Sequence, residues 1–431
     1  MDRLAGRTLP TRLLVIGAIT LVAATRDARA QERRPSEPIP LGGGVENEPA
    51  PPALPGVEQD GPALPDAEGA GPVLPWLIDL HGIYGVTVAG YNRIDGLVPA
   101  WGLDLEPVDP ARTPALGARY GRSTARSRAH WNAWIEQRLP FAGEFRLRLE
   151  HFQRTATFDD WRITQRENDL ATFLAGSDLM DWWREKGLRV VLLGETVDGR
   201  LAGSVALLDA SQRSERNRSP FVLFGGDEDF RDNPEIEEGD LRSITVGGRL
   251  DTRDVQSPLL PAPGWRVEVE FEGAGGPLGA DVDFVRGLVD VRRYTRFGTD
   301  VWWDARLVWM APLDGDGVPP QRKASLGGPG SLRGFPAARF VGDEALQIST
   351  EARFPLPLFR PLDALFLSWH VVGFGDAGAV DDYDVWHADL GAGVSGINLF
   401  SYVGLFVAQR VTDTGEPDDG PRFLVRLRRD F

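Results

Sequence analysis

From about residue 76 to the C-terminus, apolar side chains recur at every second position over segments of roughly ten residues. Phe145, Leu147 and Leu149 alternate with Arg146, Arg148 and Glu150, and Trp265, Val267, Val269 and Phe271 alternate with Arg266, Glu268, Glu270 and Glu272. Val301, Trp303, Ala305, Leu307 and Trp309 continue the pattern, as do Leu346, Ile348, Thr350 and Ala352. A period of two is that of a β-strand with one apolar and one charged face. A soluble sandwich would hide the apolar face in a core. Here that face is rich in Trp and Phe, and the segments have the ~9–11 residues that a tilted strand needs to cross a bilayer. The pattern predicts strands starting near residues 80, 97, 115, 127, 143, 187, 201, 241, 264, 282, 299, 344, 366, 386, 400 and 421. That is an even set of sixteen, as a single-chain transmembrane antiparallel β-barrel requires. The weakest is the segment Ala115 to Gly121.

Connection lengths agree. Pro140–Gly143, Val197–Arg200, Thr295–Gly298 and Gly396–Asn398 read as tight turns at one rim, and 156–186, 213–240 and 313–343 read as long loops at the other. Within 159–186, Trp161, Leu170, Phe173, Leu174, Leu179, Trp182 and Trp183 fall at mixed spacings of three and four, the mark of a short amphipathic helix. Residues 227–240 carry eight acids against one arginine and read as a solvated loop. The fragment Asp314-Gly315-Asp316-Gly317 lacks the remaining ligands of a calcium loop.

The N-terminus has a different character. Arg3, Arg7 and Arg12 precede the apolar run Leu13–Ala24, and Ala28-Arg29-Ala30 forms a small-residue cleavage pattern ahead of Gln31. Residues 1–30 therefore read as a secretory signal peptide. The apolar run is too short for a spanning helix. Residues 31–75 hold eleven prolines, eight acids and two basic residues and read as a disordered acidic linker, with residues 76–431 as the barrel. With 50 glycines and 33 prolines the chain is turn-rich, and a formal net charge of −16 excludes a nucleic-acid partner bound by phosphate neutralisation. The chain has no cysteine, which removes disulfides, thiolate metal sites and thiol nucleophiles.

No zincin, nucleophile-elbow or P-loop motif is present, and the five histidines (His81, His130, His151, His370 and His387) fall on separate predicted strands or strand ends. The expectation is a non-enzymatic protein with no catalytic residues, cofactor or metal.

One segment is specific. Gly327-Gly328-Pro329-Gly330-Ser331-Leu332-Arg333-Gly334-Phe335 resembles the arginine-glycine-aromatic signature of the BamA/TamA-like superfamily of outer-membrane assembly and secretion barrels. In that family the motif lies at the tip of the sixth surface loop, folded back into the lumen, and the strand count places it there. Phe374-Gly375-Asp376-Ala377-Gly378 resembles the family's aromatic-x-Asp-x-Gly element, Glu351 is a weaker match, and the chain ends in Phe431, as barrels recognised by the assembly machinery do. Arg429 departs from the usual aromatic at the third position from the end. The sharp motifs cover about residues 324–378.

The side-chain chemistry supports a contact. Arg333 offers a planar five-donor fork, Asp376 and Glu351 fall on the lumen face by alternation, and Phe335 is placed to pack beside Phe374. The expected site is thus Arg333, Gly334, Phe335, Glu351, Phe374, Asp376 and Gly378, either a static clamp or a releasable latch. Gly82, Gly85 and Gly90 weaken the first strand. The resemblance implies a location in the bacterial outer membrane and a role in inserting, assembling or translocating proteins or lipids. Its implied partners are outer-membrane lipids and client proteins. The periplasmic POTRA modules of larger members are replaced by the linker, as in short barrel-only members. An envelope scaffold, with the 31–75 linker tethering a periplasmic partner, and a passive pore are the alternatives.

Overall fold

A computed structural model describes residues 75–427, apart from 142–143, 219, 225–229, 254–261, 299–300, 316, 357–367, 398–401 and 413–419. The expected signal peptide, all but the last residue of the linker, and Phe431 lie outside the described residues.

Sixteen antiparallel strands form one continuous ladder, in the number and order that alternation predicts. They are β1 (two halves, Trp76–Leu80 and Val86–Asn92), β2 (Gly96–Pro107), β3 (Ala115–Arg122), β4 (Ala129–Leu139), β5 (Glu144–Ala156), β6 (Trp183–Glu195), β7 (Leu201–Ser214) and β8 (Gly239–Asp251). The rest are β9 (Gly264–Ala274), β10 (Phe284–Phe297), β11 (Val301–Pro312), β12 (Ala345–Pro355), β13 (Ser368–Val380), β14 (His387–Ile397), β15 (Tyr402–Arg410) and β16 (Arg422–Arg426). Each pairs with the next, and both halves of β1 pair with β2. The doubtful third strand is real and in register with both neighbours. The protein is an all-β antiparallel barrel with an infolded sixth surface loop.

The first strand departs from a simple reading. Leu80 lies opposite Leu103 and Val86 opposite Trp101, so the five residues His81–Gly85 face Gly102 alone. They fold into a tight protrusion closed by the Ile83–Val86 bridge, with positive φ at Gly82, Tyr84 and Gly85. Tyr84 stands 86% exposed at its tip. Glycine supplies two of the three left-handed positions at little cost.

The two faces are chemically distinct. Leu147, Leu149, Phe271, Trp303, Leu307 and Ile348 point out and are exposed, while Arg146, Glu270, Glu272, Asp304, Arg306 and Glu351 point in and are buried. Buried charges are tolerable only when paired, and here they are. Arg286 binds Glu270 and Glu272, Arg292 and Arg306 bind Asp290, and Arg353 binds Asp304 and Glu351. The inner face is not uniformly polar. Val308 and Met310 point inward and pack on apolar side chains of L3 and L6, and Trp302, at the other end of β11, points inward under the Arg296 guanidinium.

Those loops are L3 (157–182, between β5 and β6) and L6 (313–344, between β11 and β12). Phe158, Trp183, Val308, Met310, Leu326, Leu332 and Phe335 form one buried cluster joining both loops to the wall.

An arginine on the outer face should be far costlier than a change on the inner face. Leu147→Arg should lose ~2–4 kcal/mol of folding free energy in bilayers, and Arg148→Ala, one residue along and lumen-facing, much less. Denaturant titration in vesicles distinguishes the two.

Candidate functional site

L6 enters the lumen as a short ladder, Ala324–Leu326 against Phe340–Gly342, with the glycine-rich segment at its tip. Gly327 and Gly328 have φ values of 113° and 92°, a region that strains any other residue. The Gly328 amide donates to the carbonyls of both Leu332 and Phe335, and the Phe335 amide donates to Leu332. This compact turn drives Arg333 sideways into the wall. A Cβ on Gly330 would collide with the carbonyl of Arg162, so that glycine sets how closely L6 approaches L3.

Arg333 is 3% exposed and uses its whole fork. Nε donates to Asp376 Oδ2 at 2.7 Å, Nη2 to Asp376 Oδ1 at 3.0 Å and Nη1 to Glu351 Oε2 at 2.9 Å. The guanidinium also lies over the Phe374 ring, 3.5 Å from its centroid. This bidentate, stacked geometry is one that lysine cannot reproduce. Burial alone would depress the Arg333 pKa, but Asp376 and Glu351 outweigh it and hold the group charged. Glu351 is shared with Arg353 Nη2 at 2.7 Å.

Five of the expected residues thus meet in one contact set: Arg333, Glu351, Phe374 and Asp376, with Gly334 beside Asp389, where a Cβ would come within 2.7 Å of the Asp389 Cβ. Gly378 acts further up the wall, since a Cβ there would meet Leu326 at 2.9 Å. Phe335 differs from expectation. It packs on Phe340 at 5.2 Å and His387 at 5.9 Å, with the Arg410 guanidinium 5.2 Å from its ring. Phe374 pairs instead with Phe406 at 5.8 Å. The reason is geometric: the face of Phe374 is taken by Arg333, and the next side chain but one leaves the turn toward β14.

Residues 208–397 match the Omp85 superfamily domain. The matched span runs from within β7 to the end of β14 and so holds L6 and every wall residue of the Arg333 contact. The barrel fold is that of BamA from Haemophilus ducreyi, in a structure lacking POTRA domains 1–3 (TM-score 0.55, 14% identity, covering 79% of this chain and 69% of that one). CdiB from Escherichia coli (TM-score 0.46, 15% identity, 83% and 63% covered) and CdiB from Acinetobacter baumannii (0.41, 11%, 81% and 65%) are also similar. No curated protein matches the chain in sequence.

Beside the Arg333 contact the structure brings in residues that the sequence did not single out. Asp389 sits directly opposite Asp376 on the neighbouring strand and is 1% exposed. Strand register, had it been traced across β13 and β14, would have found it. The helix expected in L3 is α1 (Gln165–Ala175), capped by Thr164, whose hydroxyl accepts from the Glu167 amide at 3.3 Å. The pattern Thr164-x-x-Glu167 is that of a capping box, and it marks the start of α1. Here the Glu167 carboxylate turns to the wall instead, accepting from Arg426 Nε at 3.0 Å and from the Leu427 amide at 2.7 Å. Two residues on, the Asp169 carboxyl lies beside Gly90 and Tyr91. A Cβ on Gly90 would touch Gln165.

One helix therefore contacts both ends of the ladder, β1 through Gly90 and Tyr91 and β16 through Arg426 and Leu427. Among the described residues β1 and β16 form no ladder with each other. Arg426 also donates to the carbonyl of Pro329 in L6, and Arg162 of L3 donates to the Gly327 carbonyl at 2.9 Å. L3, L6 and the seam strands are one hydrogen-bonded unit.

Removing Arg333 strips the buried Asp376 carboxylate of its guanidinium and leaves Glu351 with Arg353 alone. Arg333→Ala should cost about 3–5 kcal/mol, and Arg333→Lys should recover the charge but not the fork or the stack. Shifted mobility on unheated gels, followed against urea, reads both.

The α1 contact should weaken as pH rises. Burial pushes Asp169 up to about 8, against the smaller opposing effect of the Tyr91 amide. The native chain then holds a proton that the unfolded chain releases near pH 4, so stability falls between about pH 4 and 8. Exchange of the Tyr91 amide, corrected for its intrinsic pH dependence, should accelerate through this window in the native sequence and stay flat in Asp169→Asn.

Proposed function

We propose that this protein is an outer-membrane barrel that inserts, assembles or translocates proteins or lipids and performs no bond chemistry of its own. The observation that carries the reading is the coupling of the Arg333 contact to the seam. L6 is anchored on β12 and β13 by Arg333, tied to β16 through Pro329 and Arg426, and joined through L3 to β1. A strand edge met, among the described residues, by side chains of a helix is easier to exchange for another strand than one closed by a full ladder. A passive pore is disfavoured by the apolar cluster that seals the lumen at the level of Leu326, Leu332 and Phe335. The Omp85 domain supports the outer-membrane location.

The chain has no cysteine of its own, so a thiol pair can be introduced cleanly. Gly90→Cys with Gln165→Cys, joined by a short thiol-reactive bridge, should fix α1 to β1. In a strain depleted of the native protein, the bridged form should fail to restore the outer-membrane proteome and lipid asymmetry, while the unbridged form restores them. Full restoration by the bridged form would favour the scaffold reading, and an unchanged envelope on depletion would refute the transport role.

A further inference from the structure

L4 (215–238) begins with an arm that crosses the outer ends of the first strands and is fixed there by its backbone. The Arg218 amide donates to the Arg93 carbonyl at 2.9 Å, the Tyr91 hydroxyl donates to the Phe221 carbonyl, and the Leu223 and Phe224 amides donate to Phe173 and Leu174 at 2.9 and 3.0 Å. Under the arm lies a half-open cavity of about 650 Å³ lined by Tyr91, Leu97, Phe173, Pro220, Phe221 and Arg218, with Thr124 and Ala125 at its edge. This is within the size range of small-ligand sites. Its walls are aromatic: Tyr91 meets Phe173 edge-on at 5.2 Å, and Phe173 lies 6.2 Å from Phe221. Leu97 belongs to the outward, lipid-facing side of β2, and beside the cavity Phe221 and Phe224 are 67% and 69% exposed.

Among the described residues, the one charged side chain lining this apolar space is Arg218. Glu215 is held by both Arg126 and Arg128. Arg216 and Arg218 are exposed, and among the described residues no carboxylate makes an ion pair with either. Further along L4, the Glu238 carboxylate accepts from the Ser214 amide at 2.9 Å. In a chain of net charge −16, an aromatic pocket lined by Arg218, with exposed Arg216 two residues before it, is a local exception.

We propose that this groove binds a phosphate-bearing, acylated amphiphile of the outer leaflet, one acyl chain against Tyr91, Leu97, Phe173 and Phe221 and the phosphate at Arg216 and Arg218. Acyl burial supplies affinity and the guanidiniums supply selectivity for the anionic headgroup. The proposal uses the outer-membrane placement but not the transport role. Because Tyr91 and Phe173 belong to β1 and α1, the bound lipid would rest on the seam.

Native mass spectrometry of the full chain in neutral detergent tests it, with diphosphorylated lipid A as probe. The native protein should retain the probe. Arg216→Gln with Arg218→Gln should weaken it about tenfold, the worth of a charge-assisted contact, and Phe221→Ser should weaken it comparably. Arg112→Gln, an exposed change on the opposite rim, should leave it unchanged. Mobility on unheated gels confirms that each variant is folded. Equal retention by the groove variants, equal loss in Arg112→Gln, equal retention of dephosphorylated lipid, or displacement by excess inorganic phosphate would overturn the proposal.

Discussion

A guanidinium taken out of water must find partners of the right charge and shape, and this requirement at Arg333 fixes much else. Its two carboxylates come from adjacent strands, Glu351 on β12 and Asp376 on β13, and its stacking face comes from Phe374. Two fork contacts and one ring define a single position and orientation on the wall. A surface loop can deliver a side chain to that point only by folding inward, and it can turn there only with Gly327 and Gly328 in conformations other residues resist. Once L6 is seated, the rest follows from satisfying buried groups. Arg322 reaches Glu272, Arg162 of L3 caps the Gly327 carbonyl, and Ser325 donates to Asp159. Breaking the first contact leaves the later ones without a reason to stay formed.

How much of this the sequence carries depends on the range of the interaction. Alternation is local, so all sixteen strands could be read from it, including the short Ala115–Arg122, and loop length then placed Arg333 at the sixth surface loop. The Omp85-like motifs added the partners Asp376 and Glu351. Three features escaped because they are products of register or loop docking. Asp389 becomes a neighbour of Asp376 only when β13 and β14 are aligned. Glu167 and Arg426 are 259 positions apart and meet only after α1 has entered the lumen. Phe335 was paired with the wrong ring because residue type allows Phe374, whereas the direction of the turn does not. The glycines of the first strand were noticed as weak points. That two of them frame a protruding turn follows from β2 continuing straight past them.

The seam ties these observations together. An unpaired strand edge inside a membrane protein leaves amides that lipid cannot satisfy. The usual remedy is a full ladder between first and last strands, which is strong but rigid. Here the remedy among the described residues is partly side-chain chemistry. Glu167 takes the Leu427 amide, α1 packs beside Gly90 and Tyr91, and the His81–Gly85 protrusion interrupts the strand that a ladder would need to follow. Side chains on a helix can withdraw as one body, whereas a ladder must be undone pair by pair. The helix itself is held by L6 through Arg162 and Gly327, and L6 by Arg333. The same buried ion pair that seats L6 on the barrel wall therefore also supports the seam, and any event that lifts L6 weakens both at once.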